Sequence, residues 1–298
     1  MPRLPIKHTH FLPKFDFCIL PTLPVTLRTE SKRFIMSTRA SKRQKTDQKD
    51  IYHLIYWAGM PGRGEHIRLA LEEAGAEYTD TAHQENGMKT VTSLISAQNT
   101  GDGVNPPPFA PPTLKHGEYI ISQTPNILLY LGPKLGLVPD VAKDPIGIYH
   151  VNSLTLTALD GLSNEAHDTH HPVAVGDYYE AQKEEAKKKA TDYREARLPK
   201  FLGYFERVLS GDASRGGEYL YGGQISYADL VLFQTLDGVS HAFPKCVKRL
   251  KASGKYEKVF AHYDRVRGRE RIKEYLASDK RQEYSMGIYR HYPELDDE

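Results

Sequence analysis

Cysteine is nearly absent: of 298 residues, only Cys18 and Cys246 carry a thiol. That excludes a disulfide framework, a CxxC redox pair and a cysteine-rich metal site, and it suits a reducing compartment. Long apolar runs are missing as well; none approaches the roughly eighteen residues of a membrane-spanning helix. Nor is there a surplus of one charge, since the formal net charge is only +2. That charge is unevenly spread. Residues 1–46 hold ten Lys/Arg against Asp16 and Glu30, a net of +8, which leaves 30 basic against 36 acidic residues, or −6, for the remainder. The part able to fold is therefore mildly acidic, so neither a nucleic-acid nor a membrane partner is expected. At 39% hydrophobic and 26% charged residues, the chain is ordinary globular material with length for two domains.

Residues 1–49 read as a basic, disordered extension punctuated by Leu12-Pro13, Leu20-Pro21 and Leu23-Pro24. Its composition resembles a transit peptide, but the prolines interrupt any long amphipathic helix. Met36 is an alternative start. Lys42-Arg43-Gln44-Lys45 fits a short localisation signal, though such runs are usually solvated tails. The expected compartment is the cytoplasm, with the mitochondrion as the alternative if residues 1–46 act as a transit peptide.

Beyond the extension, residues 51–57 are rich in β-branched and aromatic side chains and read as a buried strand. A turn over 58–62 leads to a helix over 63–74, with Gly75 as its stop. Tyr78 belongs to a second strand, and residues 93–109 form a long irregular loop. Leu114 and Tyr119-Ile120-Ile121 pair as a hairpin. Pro111-Pro112 is a candidate cis peptide at its entrance. Thr124 then caps a helix with Pro125 at its first position. The free N–H groups and positive dipole end of that helix suit a carboxylate. Turn, hairpin and anion-binding helix terminus together describe the ligand-binding half of a thioredoxin-like α/β unit, over residues 50–136.

Residues 143–285 read as an all-helical domain, with helices expected over 146–167, 178–209, 226–239 and 256–276, and a tail over 286–298. Ser226 and Asp229 stand at capping-box spacing, between Ile225 and Leu230 in a hydrophobic staple. His167-Asp168-Thr169-His170-His171 puts three imidazoles on one helical face, but Pro172 follows at once. A helix end, where histidine is welcome without metal, is the expected reading, and no metal is expected.

At this point four segments resemble the cytosolic glutathione transferases, closest to the tyrosine-type mu, pi and sigma-like classes. They are Tyr56-Trp57 with Gly62-Arg63-Gly64-Glu65-His66-Ile67-Arg68; Pro112 with Gln123-Thr124 and Asn126 to Gly132; Gly223 to Asp229; and Arg271 to Ser278. They fall in the family's order and cover about residues 50–280. The resemblance implies a thioredoxin-like N-terminal domain that binds glutathione and a helical C-terminal domain that supplies most of an electrophile pocket. It implies Tyr56 as the catalytic residue and Arg63, Lys89, Pro111, Gln123 and Thr124 as glutathione contacts. His167 and His170 would border the electrophile, Asn164 would reach glutathione across a homodimer, and glutathione would be the co-substrate. Conjugation of glutathione to a small hydrophobic electrophile is the implied activity. The alternatives are a non-catalytic transferase-like binding or regulatory protein, and a glutathione-dependent isomerase or peroxidase.

The chemistry required is thiol activation, because the thiolate is the nucleophile and a free thiol ionises near about 8.5. Between Ile51 and Arg68 the only side-chain hydroxyls belong to Tyr52 and Tyr56. Serine- and cysteine-type active sites are therefore disfavoured. Two departures from the family stand out: the turn after Tyr56 is one residue longer, and Pro111 offers a carbonyl but no N–H to the cysteinyl backbone of the peptide.

Overall fold

In the computed structural model, which describes residues 51–297, the first strand β1 (Tyr52–Ile55) is shorter than expected. The basic extension, Cys18 and Met36 lie outside the described residues. The strand stops because Tyr56 turns its backbone to a side chain. Its N–H donates to Thr81 Oγ1 at 2.9 Å, and the same hydroxyl donates back to its carbonyl at 2.7 Å. A tight turn over Gly62–Gly64 precedes α1 (Glu65–Ala74), which ends on Gly75 in the left-handed conformation, φ 63°. Then follow β2 (Tyr78–Asp80), α2 (Gly87–Leu94), the hairpin strands β3 (Thr113–His116) and β4 (Tyr119–Ser122), and α3 (Thr124–Leu135). The α2 helix was not anticipated, and it takes Ser93 and Leu94 out of the expected loop. Only Gly87 and Val91 of it are buried, too little apolar periodicity to read from sequence.

The sheet order is β2-β1-β3-β4, with β1 parallel to β2 and both other pairings antiparallel. The Pro111–Pro112 bond is cis. This is the thioredoxin-like α/β arrangement, and it sets the end of β1, the start of β3 and the start of α3 beside one another.

The remainder is helical. Here α4 (Gly147–Leu156) runs through a π-helical stretch, Thr157–Ser163, into α5 (Asn164–Asp168). Likewise α6 (Lys183–Asp192) runs through Tyr193–Arg197 into α7 (Leu198–Ser210). The expected cap of α8 (Tyr227–Ala242) is present. Ser226 donates its N–H and hydroxyl to Asp229 Oδ2 at 2.8 and 2.6 Å. Asp229 Oδ1 meets the Leu220 N–H and His262 Nε2, each at 2.8 Å. Almost every residue of α8 is buried, and it packs on α1, α4 and α10 (Glu257–Arg267), joining the α/β and helical portions through one core. The short α9 (Pro244–Ala252) was not expected. The helix expected over 256–276 breaks at Gly268 before α11 (Glu270–Leu276). Arg269 leaves the helix there to bond Glu73 at 2.9 Å and Tyr219 at 2.8 Å.

Beyond α11 the chain folds back over the molecule. Gln282 accepts the Gly59 N–H at 2.8 Å, and Ser285 donates to the Gly59 carbonyl at 2.5 Å. Tyr289 is buried and bonds Ser163 at 2.8 Å, Tyr292 stacks on Tyr179, and Asp296 caps α9 through Lys245 N at 2.7 Å. No helix among the described residues is long and apolar enough to cross a membrane.

Candidate active site

The Tyr56 side chain is 6% exposed, at the end of β1. Its hydroxyl oxygen accepts the backbone N–H of Arg63 at 2.8 Å. Because that bond uses a lone pair, the phenolic proton stays available to give away. Burial pushes the phenol above its usual range, against the opposing pull of the Arg63 N–H and the Arg63 and Arg68 charges. The group is therefore a neutral donor near pH 7.

Two glycines make room for it. A Cβ on Gly62, which sits at φ +50°, would stand 2.2 Å from the Tyr56 hydroxyl, and one on Gly64 would stand 2.6 Å from its ring. Gly64→Ala should therefore cost about 1–3 kcal/mol of stability through overpacking. A urea unfolding midpoint equal to wild type would show that the ring has space to move aside.

Arg63 gathers three of the residues picked out from sequence. Its N–H holds Tyr56, its carbonyl accepts the Thr124 hydroxyl at 3.3 Å, and its guanidinium donates to Asn164 Oδ1 at 2.7 Å. Asn164 thus meets a partner within its own chain. Thr124 does not cap α3 as expected: the helix begins at Thr124 itself, with Gln123 in the cap position. The hydroxyl is drawn to the Arg63 carbonyl instead. Gln123 is exposed with φ 72° and ψ 120°, a conformation that costs a non-glycine residue on the order of 1–3 kcal/mol. That strain falls beside the free N–H groups of a helix start, where an anion is favoured.

Other expected contacts are more loosely connected. Pro111 is half-buried just before β3. Lys89 is exposed on α2, in a shallow cleft with Asn86, Thr90 and Asn99, and no described contact ties it to the Tyr56–Arg63–Thr124 group. His167 is half-buried at the end of α5, whereas His170 is buried and faces the Ile288 carbonyl at 3.0 Å.

Sequence reasoning missed the buried ionic cluster beneath Tyr56. The Arg68 side chain is fully buried and pairs with Asp80 at 2.6 Å and Glu65 at 3.0 Å, while donating to the Pro61 carbonyl at 3.1 Å. Burial opposes its charge, but Glu65 and Asp80 outweigh that and hold it firmly protonated. Its guanidinium carbon also lies 5.7 Å from the Tyr56 ring centre. Glu65 accepts from Tyr275 at 2.6 Å and pairs with Arg281, which reaches Asp237 at 3.0 Å. The three-residue spacing of Glu65 and Arg68 was the one local signal for any of this.

Comparison with known proteins sets glutathione S-transferases beside this chain. The family model described as "Glutathione S-transferase, C-terminal domain" matches residues 167–279. The glutathione S-transferase of Plasmodium falciparum (isolate 3D7) is 24% identical over 234 residues, covering 78% of this chain and 98% of that protein. Glutathione S-transferase P 1 of Xenopus laevis is 29% identical over 230 residues, covering 77% and 93%. Among solved structures, a Pi-class glutathione S-transferase of Onchocerca volvulus superposes with a TM-score of 0.56 at 23% identity, covering 75% of this chain and 91% of that one. The chain thus resembles glutathione S-transferases in its matched C-terminal domain, over most of the length of these relatives, and in its fold.

Proposed function

We propose that the protein conjugates glutathione to a small hydrophobic electrophile, with Tyr56 stabilising the thiolate. The observation that carries this reading is the Tyr56 hydroxyl, buried, neutral and already accepting the Arg63 N–H, so that its proton is directed to an incoming sulfur. In this reading the γ-glutamyl carboxylate takes the N–H groups at the start of α3, next to Gln123 and Thr124. The thiol proton leaves to solvent, Tyr56 donates to the resulting thiolate, and sulfur forms a bond to the electrophilic carbon while the leaving group departs. The nucleophile has to be supplied by the co-substrate. Cys246, the one thiol among the described residues, is buried and its pKa is raised by that burial. His167 borders the electrophile side in this scheme, and His170 supports the wall from behind. The working unit is proposed to be a homodimer in the cytoplasm.

Pro111 favours a second reading. Without an N–H it gives the peptide's cysteinyl backbone one hydrogen bond fewer, which fits a binding or regulatory protein. Retention on immobilised glutathione together with turnover of a generic aryl halide distinguishes the two. Retention with turnover supports conjugation, retention without it supports the binding protein, and no retention removes both.

Thr124→Val tests the helix-start site. In this scheme the Thr124 hydroxyl swings from the Arg63 carbonyl, 3.3 Å away, to the bound carboxylate, so its loss should weaken glutathione binding by about 1.5–3 kcal/mol, while Lys89→Ala, on the exposed face of α2, should weaken it less. Calorimetric titration showing equal affinity in wild type and Thr124→Val would refute the assignment.

A further inference from the structure

His167, His170 and His171 lie at the end of α5, and although the sequence alone reads as a helix end, the structure brings their rings together. Ring centres are 4.9, 5.2 and 4.8 Å apart, and one nitrogen from each lies within 4.8 Å of the others. What each nitrogen does is informative. His170 is 1% exposed and its Nε2 lies 3.0 Å from the Ile288 carbonyl, which can only accept. Nε2 therefore carries the proton and Nδ1 carries the lone pair. That Nδ1 is buried with no partner, and so is Nδ1 of His171, whose ring faces the backbone of Asp177. His167 Nδ1 stands 3.5 Å from an Asp168 carboxylate oxygen, a long contact that orients the ring. Buried polar atoms normally find partners, so two bare nitrogens at one place call for a reason.

Histidines that bind a metal usually hold their other N–H against a carbonyl or carboxylate, which fixes the tautomer and aims the lone pair. The Ile288 carbonyl does this for His170, the Asp177 backbone faces His171, and Asp168 faces His167. We propose that His167, His170 and His171 form a binding site for a borderline transition-metal dication, Zn2+ first, with a fourth position open to solvent. Tetrahedral Zn–N bonds of about 2.0–2.1 Å need the nitrogens to close to about 3.3 Å. Rotation of the two half-buried rings, His167 and His171, accomplishes this around the fixed His170.

Arg63 and Arg290 place positive charge near the site, only partly offset by Asp168. That field penalises ions held by charge alone. Mg2+ and Ca2+, which in addition prefer oxygen ligands, should be rejected, and ions that bind imidazole nitrogen retained. The site shares His167 and His170 with the electrophile wall proposed above, but its test reads metal binding and melting rather than conjugation, so the two readings can fail separately.

The test uses the full chain, stripped with a chelator, in competition with a chromophoric zinc dye and by thermal melting. One Zn2+ per chain should be withdrawn from the dye, and the melting temperature should rise with Zn2+ but not with Mg2+. His167→Gln and His171→Asn, both at half-buried positions, should each weaken zinc at least about 10-fold with the metal-free melt preserved. His150→Gln, an exposed histidine elsewhere, should bind as wild type. Co2+ should give the intense visible bands of a four-coordinate site. Absence of stoichiometric binding, undiminished affinity in both variants, or a six-coordinate Co2+ spectrum would each overturn the proposal.

Discussion

Arg68→Met should destabilise the fold by about 3–5 kcal/mol, the usual cost of removing one member of a buried ion pair. The arginine is fully buried against Asp80 and Glu65. Methionine fills much of the space but leaves an Asp80 oxygen without its cation. Glu65 is partly protected, since Tyr275 and Arg281 still meet it. For a folded unit of this size the melting temperature should fall by about 10 °C or more. Urea unfolding followed by two probes checks this, and a midpoint within experimental error of wild type would mean that the acidic groups find other partners. Tyr56 should also loosen, because Arg68 lies against its ring.

The second large effect is on chemistry. Tyr56→Phe keeps the ring between Gly62 and Gly64 but deletes the donor. The Arg63 N–H loses its acceptor, costing about 1 kcal/mol of stability, while glutathione affinity should survive. Conjugation should slow by about 10- to 100-fold, and the ionisation of bound glutathione should rise by about two units towards the free-thiol value near about 8.5. The sign follows from the donor: a hydrogen bond to sulfur favours the thiolate, so its loss moves ionisation to higher pH. Thiolate absorbance against pH, measured for wild type, Tyr56→Phe and Tyr52→Phe, reads the shift directly. Tyr52, packed on His116 earlier in β1, is the control and should titrate as wild type. An unmoved titration in Tyr56→Phe would put the binding-protein reading ahead of the enzyme.

The two predictions differ in how visible their residues were beforehand. Tyr56, Arg63 and Thr124 stand in short runs whose turn, strand and cap chemistry is local, and local chemistry can be read along a chain. The same holds for α8, whose cap closes within four residues. By contrast, Glu65 meets Arg281 across 216 positions, and nothing in the composition of α1 signals that its first charge has a distant partner. The end of β1 escaped for a similar reason: the Thr81 hydroxyl that diverts Tyr56 lies 25 residues downstream. Helix α9 went unseen because its charged sequence buries only Cys246. The bare nitrogens of His170 and His171 are visible only once the Ile288 carbonyl is in place.

The brace that folds back from α11 also sets a schedule. Residues 281–296 are translated after everything they hold: Glu65, Gly59, Ser163, His170 and the start of α9. At ribosomal rates of about 5–20 residues per second, the 216 positions between Glu65 and Arg281 take roughly 10–40 s to make. Throughout that interval Glu65 has Arg68 beside it but lacks its second cation, Arg281, and the Tyr275 hydroxyl that completes its burial. The sheet and α3 can assemble early, but the ground beneath Tyr56 stays wet until the brace arrives, so the proposed active site is among the final parts of the molecule to mature.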